Sequence, residues 1–271
     1  MRFKELIVII LLLLFSQSFF CASAEELIPY QLQEKWGYAN NEMEVALPPL
    51  WDYASYFRFS KTAVVGMKQQ SGEYLYGLID VNGNYLVPCE YYISDGESEA
   101  FFGGEDGYYL IMNPQRTLCG YYDMSNDFFC EPIFEDVDVW YKNPQNIISV
   151  APTGIEGRIY INAITGEQVG TENYLETFPW HDNAAICMSF DGRRWIQFLD
   201  GTRIEVPREY DIASDLSHGL FIVINQEGLY SLMNLKAVIV AEWYSMIELT
   251  AKGDFYGEGT KYSGIIYCQK P

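Results

Sequence analysis

Few side chains in this 271-residue chain are equipped for covalent or acid–base chemistry, and their spacing gives them little to work with. There are two histidines: His181 lies between Trp180 and Asp182, and His218 between Ser217 and Gly219. A Ser217–His218 or His181–Asp182 couple would set a base beside a nucleophile or a carboxylate. Neighbours along an extended chain point to opposite faces, however, so neither couple is placed to act together. No G-x-S-x-G elbow is present. Both histidines are expected in surface connections.

Carboxylates recur by position: Asp80 and Asp123 close one kind of strand, and Glu90, Glu209 and Glu242 precede a recurring aromatic residue. A glycosidase would need two of them roughly 5 to 10 Å apart. Recurrence at equivalent places points instead to turn chemistry, with Asp accepting from the backbone of the following hairpin. Asp80-x-Asn82-x-Asn84 resembles a calcium loop, but Glu90 has the wrong offset for the last ligand. No cofactor or metal site is therefore expected, and no catalytic residue.

Besides Cys21, the chain has Cys89, Cys119, Cys130, Cys187 and Cys268, with no C-x-x-C spacing, so no zinc ribbon or thioredoxin-like motif is present. Cys119 and Cys130 flank one hairpin, where a bridge is conceivable; small buried hydrophobes are the simpler expectation. Aromatic residues are the surplus. Trp51, Trp140, Trp180, Trp195 and Trp243, with 22 tyrosines, offer stacking faces for sugars or peptides. Most should be core. Trp140, Tyr141 and Trp180 sit in connections and are expected to line a ligand surface.

The first 24 residues have the form of a secretory signal: Arg2 and Lys4, an apolar run from Leu6 to Phe20, then Ala22-Ser23-Ala24. That run is shorter than the ~20 residues a membrane span needs. Cleavage near Ala24 would export the protein to the cell envelope or beyond, with no membrane span remaining. Residues 25–34 read as a short lead-in and 35–271 as one repeat domain. The net charge of −20 becomes −21 on loss of Arg2, Lys4 and Glu5. Such a field repels phosphate backbones and excludes nucleic acid as a partner. At 49% hydrophobic and 16% aromatic residues, the chain can fill a core.

That core is repetitive. Val87-Pro88-Cys89-Glu90-Tyr91 returns as Val206-Pro207-Arg208-Glu209-Tyr210, and aromatic anchors recur at Trp51, Tyr91, Phe134, Tyr174, Tyr210 and Tyr244. Fourteen residues before each anchor stand Gly37, Gly77, Gly120, Tyr160, Ile196 and Tyr230. Between the two landmarks lies a hairpin pattern, clearest from Gly77 through Asp80 and Asn82-Gly83 to Pro88. A fixed interval with variable connections is what a structural unit with tolerant loops produces. Each unit of about forty residues should supply three or four short strands, with little helix.

Lys35-Trp36-Gly37-Tyr38, continuing to Leu47-Pro48-Pro49-Leu50-Trp51-Asp52, resembles the WG (KWG) repeat, as do Gly77 to Tyr91 and Gly120 to Phe134. The fourth to sixth copies lack the glycine, and a partial seventh begins at Gly264. The resemblance implies a repeat scaffold and no particular catalytic or ligand-binding residue. Units that cannot bury their faces alone must pack in series. The expected fold is all-β, a propeller-like ring of tandem repeats closed by the Gly264 segment, or alternatively an open superhelix. The expected function is non-enzymatic binding of protein or glycan through one loop face; the alternatives are a glycan hydrolase with carboxylates at a propeller axis, or an envelope spacer.

Overall fold

The computed structural model describes residues 26–269 apart from 60, 94–100, 103–106, 140–142, 182, 215, 217–218, 245, 249–253, 258–259 and 264–266. The described elements are all β-strands, and no helix among them is long and apolar enough to cross a membrane.

The chain folds into successive antiparallel meanders. The first sheet joins Ile28–Leu32, Lys35–Ala39 and Val45–Trp51. The ten residues read as a lead-in therefore contribute a strand to the first unit. The second sheet is four-stranded: Tyr53–Ala54, Ala63–Lys68, Tyr74–Ile79 and Tyr85–Tyr91. The third and fourth units share one seven-stranded sheet, because Phe128–Asp138 pairs with Cys119–Asp123 at one end and with Ile147–Pro152 at the other. The fifth comprises Glu176–Thr177, Ala184–Met188, Arg194–Phe198 and Arg203–Glu205. The sixth comprises Tyr210–Ile212, Leu220–Asn225, Tyr230–Asn234 and Ile239–Tyr244. Two strand pairs follow, Met246–Glu248 with Tyr267–Gln269 and Asp254–Gly257 with Thr260–Ser263. The result is an all-β array of propeller-like blades.

Alternation along each strand makes the stacking possible. In the second unit Ala63, Val65 and Ile79 pack back onto Tyr38, Leu47 and Trp51 of the first. Val64, Leu78 and Val87 point the other way, onto Tyr109, Ile111 and Tyr122 of the third. The same division continues down the chain: Tyr121 meets Ile148 and Val150, Tyr160 and Tyr174 meet Ala185 and Cys187, and Ile186 and Ile196 meet Phe221 and Val223. Each sheet has two apolar faces and needs a neighbour on both.

The glycine of the repeat is explained by space. None of Gly37, Gly77 and Gly120 has a positive φ. Instead, a Cβ on Gly77 would lie 2.4 Å from the Val87 carbonyl oxygen and 2.8 Å from the Pro88 carbonyl carbon. On Gly37 it would lie 2.6 Å from the Leu47 carbonyl oxygen, and on Gly120 2.3 Å from that of Cys130. The following strand bulges at its V-P or equivalent segment and lies across the glycine, which re-aims the aromatic anchor. Trp36 is thereby paired with Trp51, Tyr76 with Tyr91, and Cys119 with Phe134.

This register corrects the landmarks of the last three units. Arg158 pairs with Tyr174, so the glycine position falls on Ile159 rather than Tyr160. Tyr230 pairs with Tyr244, so it falls on Ser231 rather than Tyr230. In the fifth unit Trp195 occupies it rather than Ile196. There the anchor is displaced as well: Tyr210 belongs to the next sheet, opposite Asn225. The Trp195 indole, with Arg193 and Arg203 lying over it at 5.1 and 4.7 Å, fills the space a bulged strand would need. The chain then leaves the sheet in a turn closed from the Tyr210 N–H to the Pro207 carbonyl.

Closure by the Gly264 segment is not what the strands show. Gly264 itself lies outside the described residues, and the adjoining Tyr267–Gln269 is engaged with Met246–Glu248.

Candidate functional site

Of the recurring carboxylates, Asp80 and Asp123 are turn residues, whereas Glu90 and Glu242 lie within strands. The Asp80 carboxylate accepts from the backbone N–H groups of Asn82 and Asn84 at 2.9 and 2.8 Å, closing the tight hairpin that resembled a calcium loop. Its burial pushes the carboxyl up, but the hydrogen bonds from Asn84 and Asn82 outweigh this and hold it below the usual range. Asn40, Asn162, Asn225 and Asn234 close turns in the same way. Asp123 is fully buried and accepts from the Ser125 N–H and hydroxyl and from the Asn126 amide. Asp123→Ala should destabilise the chain by about 2 kcal/mol, since those donors are left unpaired; urea denaturation measures it.

A general acid of a glycosidase needs a raised carboxyl pKa. Among the described residues, Asp52, Asp80, Asp191 and Asp200 are lowered by hydrogen bonds. Among the described residues no three His, Cys, Asp or Glu side chains converge as metal ligands would. His181 closes a tight turn with Ala184; Ser217 and His218 lie outside the described residues.

Cys119 and Cys130 are not bridged: each is a free thiol, as are Cys89 and Cys187. Burial pushes Cys187 up to about 12 and Cys89 to about 11, which suppresses the reactive thiolate.

Of the three aromatic residues expected at a ligand surface, Trp180 is described and it is buried. Trp140 and Tyr141 lie outside the described residues. Trp180 is only 2% exposed, and its ring meets Tyr160 edge-on at 5.2 Å. It plugs the contact between the fourth and fifth units and lines no surface. The connection that carries it folds back over the sheets because Phe178 pairs with Ile186 and His181 with Ala184.

A half-buried tyrosine band does exist, on the second and third units. Tyr74 and Tyr76 stand on one side of the strand Tyr74–Ile79, stacked at 6.2 Å. Tyr53 and Tyr92 meet the Tyr76 ring edge-on at 5.6 and 6.1 Å. Gly66 makes the room: a Cβ there would lie 3.0 Å from the Tyr76 ring and 3.1 Å from Tyr53 Cβ. Tyr92 is fixed beside the band by paired backbone bonds with Met112. The row is capped by cations, with Lys68 5.9 Å from the Tyr74 centroid and the exposed Arg116 guanidinium 3.5 Å from that of Tyr92. Cation and rings together form an amphipathic surface. A cleft of about 560 Å³ lies between the fourth and fifth units, lined by Gln145, Asn162, Glu167, Gln168, Thr171 and Asp200 among others.

Comparison with curated proteins finds no match. Among solved structures the chain is similar to a eukaryotic initiation factor, at 9% identity and TM-score 0.43 over 84% of this chain and 66% of that one. It is similar also to BamB from Moraxella catarrhalis, at 11% identity and TM-score 0.36 over 80% and 72%. The WD40 β-propeller domain of Doa1 follows at 10% identity and TM-score 0.34 over 85% and 77%. All three scores lie below 0.5, and the fold rests on the sheets themselves. The family profile described as WG containing repeat matches residues 36–65 and 76–92, the segments in which a strand lies across Gly37 and Gly77. The first two units of this chain are thus similar to the WG containing repeat.

Proposed function

We propose that the protein is an exported, non-enzymatic interaction module that engages a protein or glycan partner through the tyrosine band of its second and third units. The observation that carries this is the row of half-buried rings at Tyr74, Tyr76 and Tyr92, ending on the exposed Arg116. Tyrosine supplies large contact area at low entropic cost, and its hydroxyl tolerates a wet rim. The chain's strongly negative charge favours neutral or cationic partners. Export rests on the N-terminal apolar run with its small residues before Glu25.

The test is calorimetric titration with two probe classes, neutral oligosaccharides such as chitohexaose and basic peptides. One class should bind, and Tyr74→Ala with Tyr92→Ala should weaken that binding about tenfold, two ring contacts at ~0.5–1.5 kcal/mol each. The melting temperature should change little, because both rings are partly exposed. Binding by neither class, or binding indifferent to the double substitution, overturns the assignment.

A further inference from the structure

Among the described residues, the first sheet lacks the member that starts the later ones. In the second unit the first strand begins two residues after the preceding anchor, with Tyr53 following Trp51; in the fifth, Glu176 follows Tyr174 in the same way. Tyr53 pairs with Gly66, which pairs with Tyr76, and Glu176 pairs with Met188, which pairs with Arg194. In the first sheet Gln31 pairs with Trp36, the counterpart of Tyr76, yet among the described residues no strand lies along the other edge of Ile28–Leu32.

That edge is built to take one. Pro29 pairs with Tyr38 as Val64 pairs with Leu78 and Ile222 with Leu232. At Val64 and Ile222 the carbonyl accepts from the first strand, from Ser55 N–H and Ala213 N–H, both at 2.9 Å. The N–H at these positions instead donates to a serine hydroxyl, Ser55 and Ser214, both at 2.9 Å. The position therefore contributes an acceptor but no donor to the ladder, which is all proline can offer.

The outer face of the first sheet is also open at the edge strand. Ala63 and Ile79 are fully buried against the first sheet, whereas Ile28, which holds the place of Ala63, is 37% exposed. At the far end Ile222 and Leu232 of the sixth sheet, 4% and 2% exposed, form the last apolar cluster, flanked by Leu220, Tyr230 and Ala241. Leu232 stands where Leu78 stands when it covers the next unit.

We propose that Met246–Glu248 is the missing first strand of the first sheet, and that its addition to the open edge of Ile28–Leu32 closes the six units into a ring. Met246 follows the last anchor, Tyr244, by the same two residues. The shared register sets Met246 against Gln31 and Ile247 against Tyr30. Closure lays the forward face of the sixth sheet on the backward face of the first. In the structure Met246 pairs with Gln269, Ile247 with Cys268 and Glu248 with Tyr267. Tyr267–Gln269 thus runs in the sense of Pro29–Gln31 and takes the partner positions that closure would give to Pro29–Gln31.

The test is photocrosslinking of the full chain with p-benzoylphenylalanine placed at the exposed Gln31. The expected result is an intrachain crosslink to the peptide containing residues 246–248, recovered from the monomer and lost in Ile247→Pro, while thermal melting shows the remaining sheets intact. Crosslinks between two chains would assign the edge to a second copy and overturn intrachain closure. Crosslinks that never reach 246–248, or that persist unchanged in Ile247→Pro, overturn it as well.

Discussion

Gly77→Val is expected to lower the free energy of unfolding by on the order of 3 kcal/mol, read as a fall in the urea midpoint at unchanged slope. The reason is backbone on backbone. An added Cβ meets the Val87 carbonyl oxygen at 2.4 Å, the Pro88 carbonyl carbon at 2.8 Å and the Cys89 nitrogen at 2.9 Å. No side-chain rotation relieves those contacts, so the bulged strand must lift. Lifting it carries away Val87, which is fully buried against the third unit. Gly154→Ala is the matched comparison: it has open space within 4 Å but a φ of +72°, so only conformational strain of about 1 kcal/mol is expected. Equal effects at the two glycines would contradict the space-filling account of the repeat.

Trp180→Ala should cost about 3–5 kcal/mol, measured by thermal or denaturant unfolding. The indole is 2% exposed, sits within the cluster of Tyr160, Tyr174, Ala185 and Cys187, and joins the fourth unit to the fifth. Its loss leaves a cavity at a junction between sheets. Such a junction cannot collapse freely, because Tyr160 is tied by its hydroxyl to the Phe178 and Ile186 carbonyls at 2.8 and 3.0 Å. Phe178→Ala, only half-buried in the same connection, should cost less. A stability unaltered by Trp180→Ala would restore a ligand-contact role for this residue.

The repeat was legible where its chemistry is local. Alternating apolar residues and a glycine fourteen residues before the aromatic anchor define the first three units, with an Asn-Gly turn and a V-P strand in the second, and the strands fall there. Register failed where the glycine was replaced. Ile159, Trp195 and Ser231 solve the crowding differently, with neighbouring glycines at Gly157 and Gly170, with no bulge, and with a small side chain. A period of fourteen residues cannot distinguish a bulge from a straight ladder. The tyrosine band stayed hidden for a related reason: alternation shows that Tyr74 and Tyr76 share a face, but not how much of that face the next sheet covers. Trp180 misled because its connection is pinned inward by backbone bonds, which composition does not encode.

The strand Phe128–Asp138 carries a consequence for how this gene product can change. Repeat arrays ordinarily gain and lose members one at a time, since each member is a self-contained meander. Here eleven residues serve two members at once, closing the third meander at one end and opening the fourth at the other, with a register shift between Phe134 and Asp136. Excising either one strands half of a shared strand. The third and fourth units are therefore joined more tightly than the first and second or the fourth and fifth, whose joints are interrupted at Asp52 and Leu175.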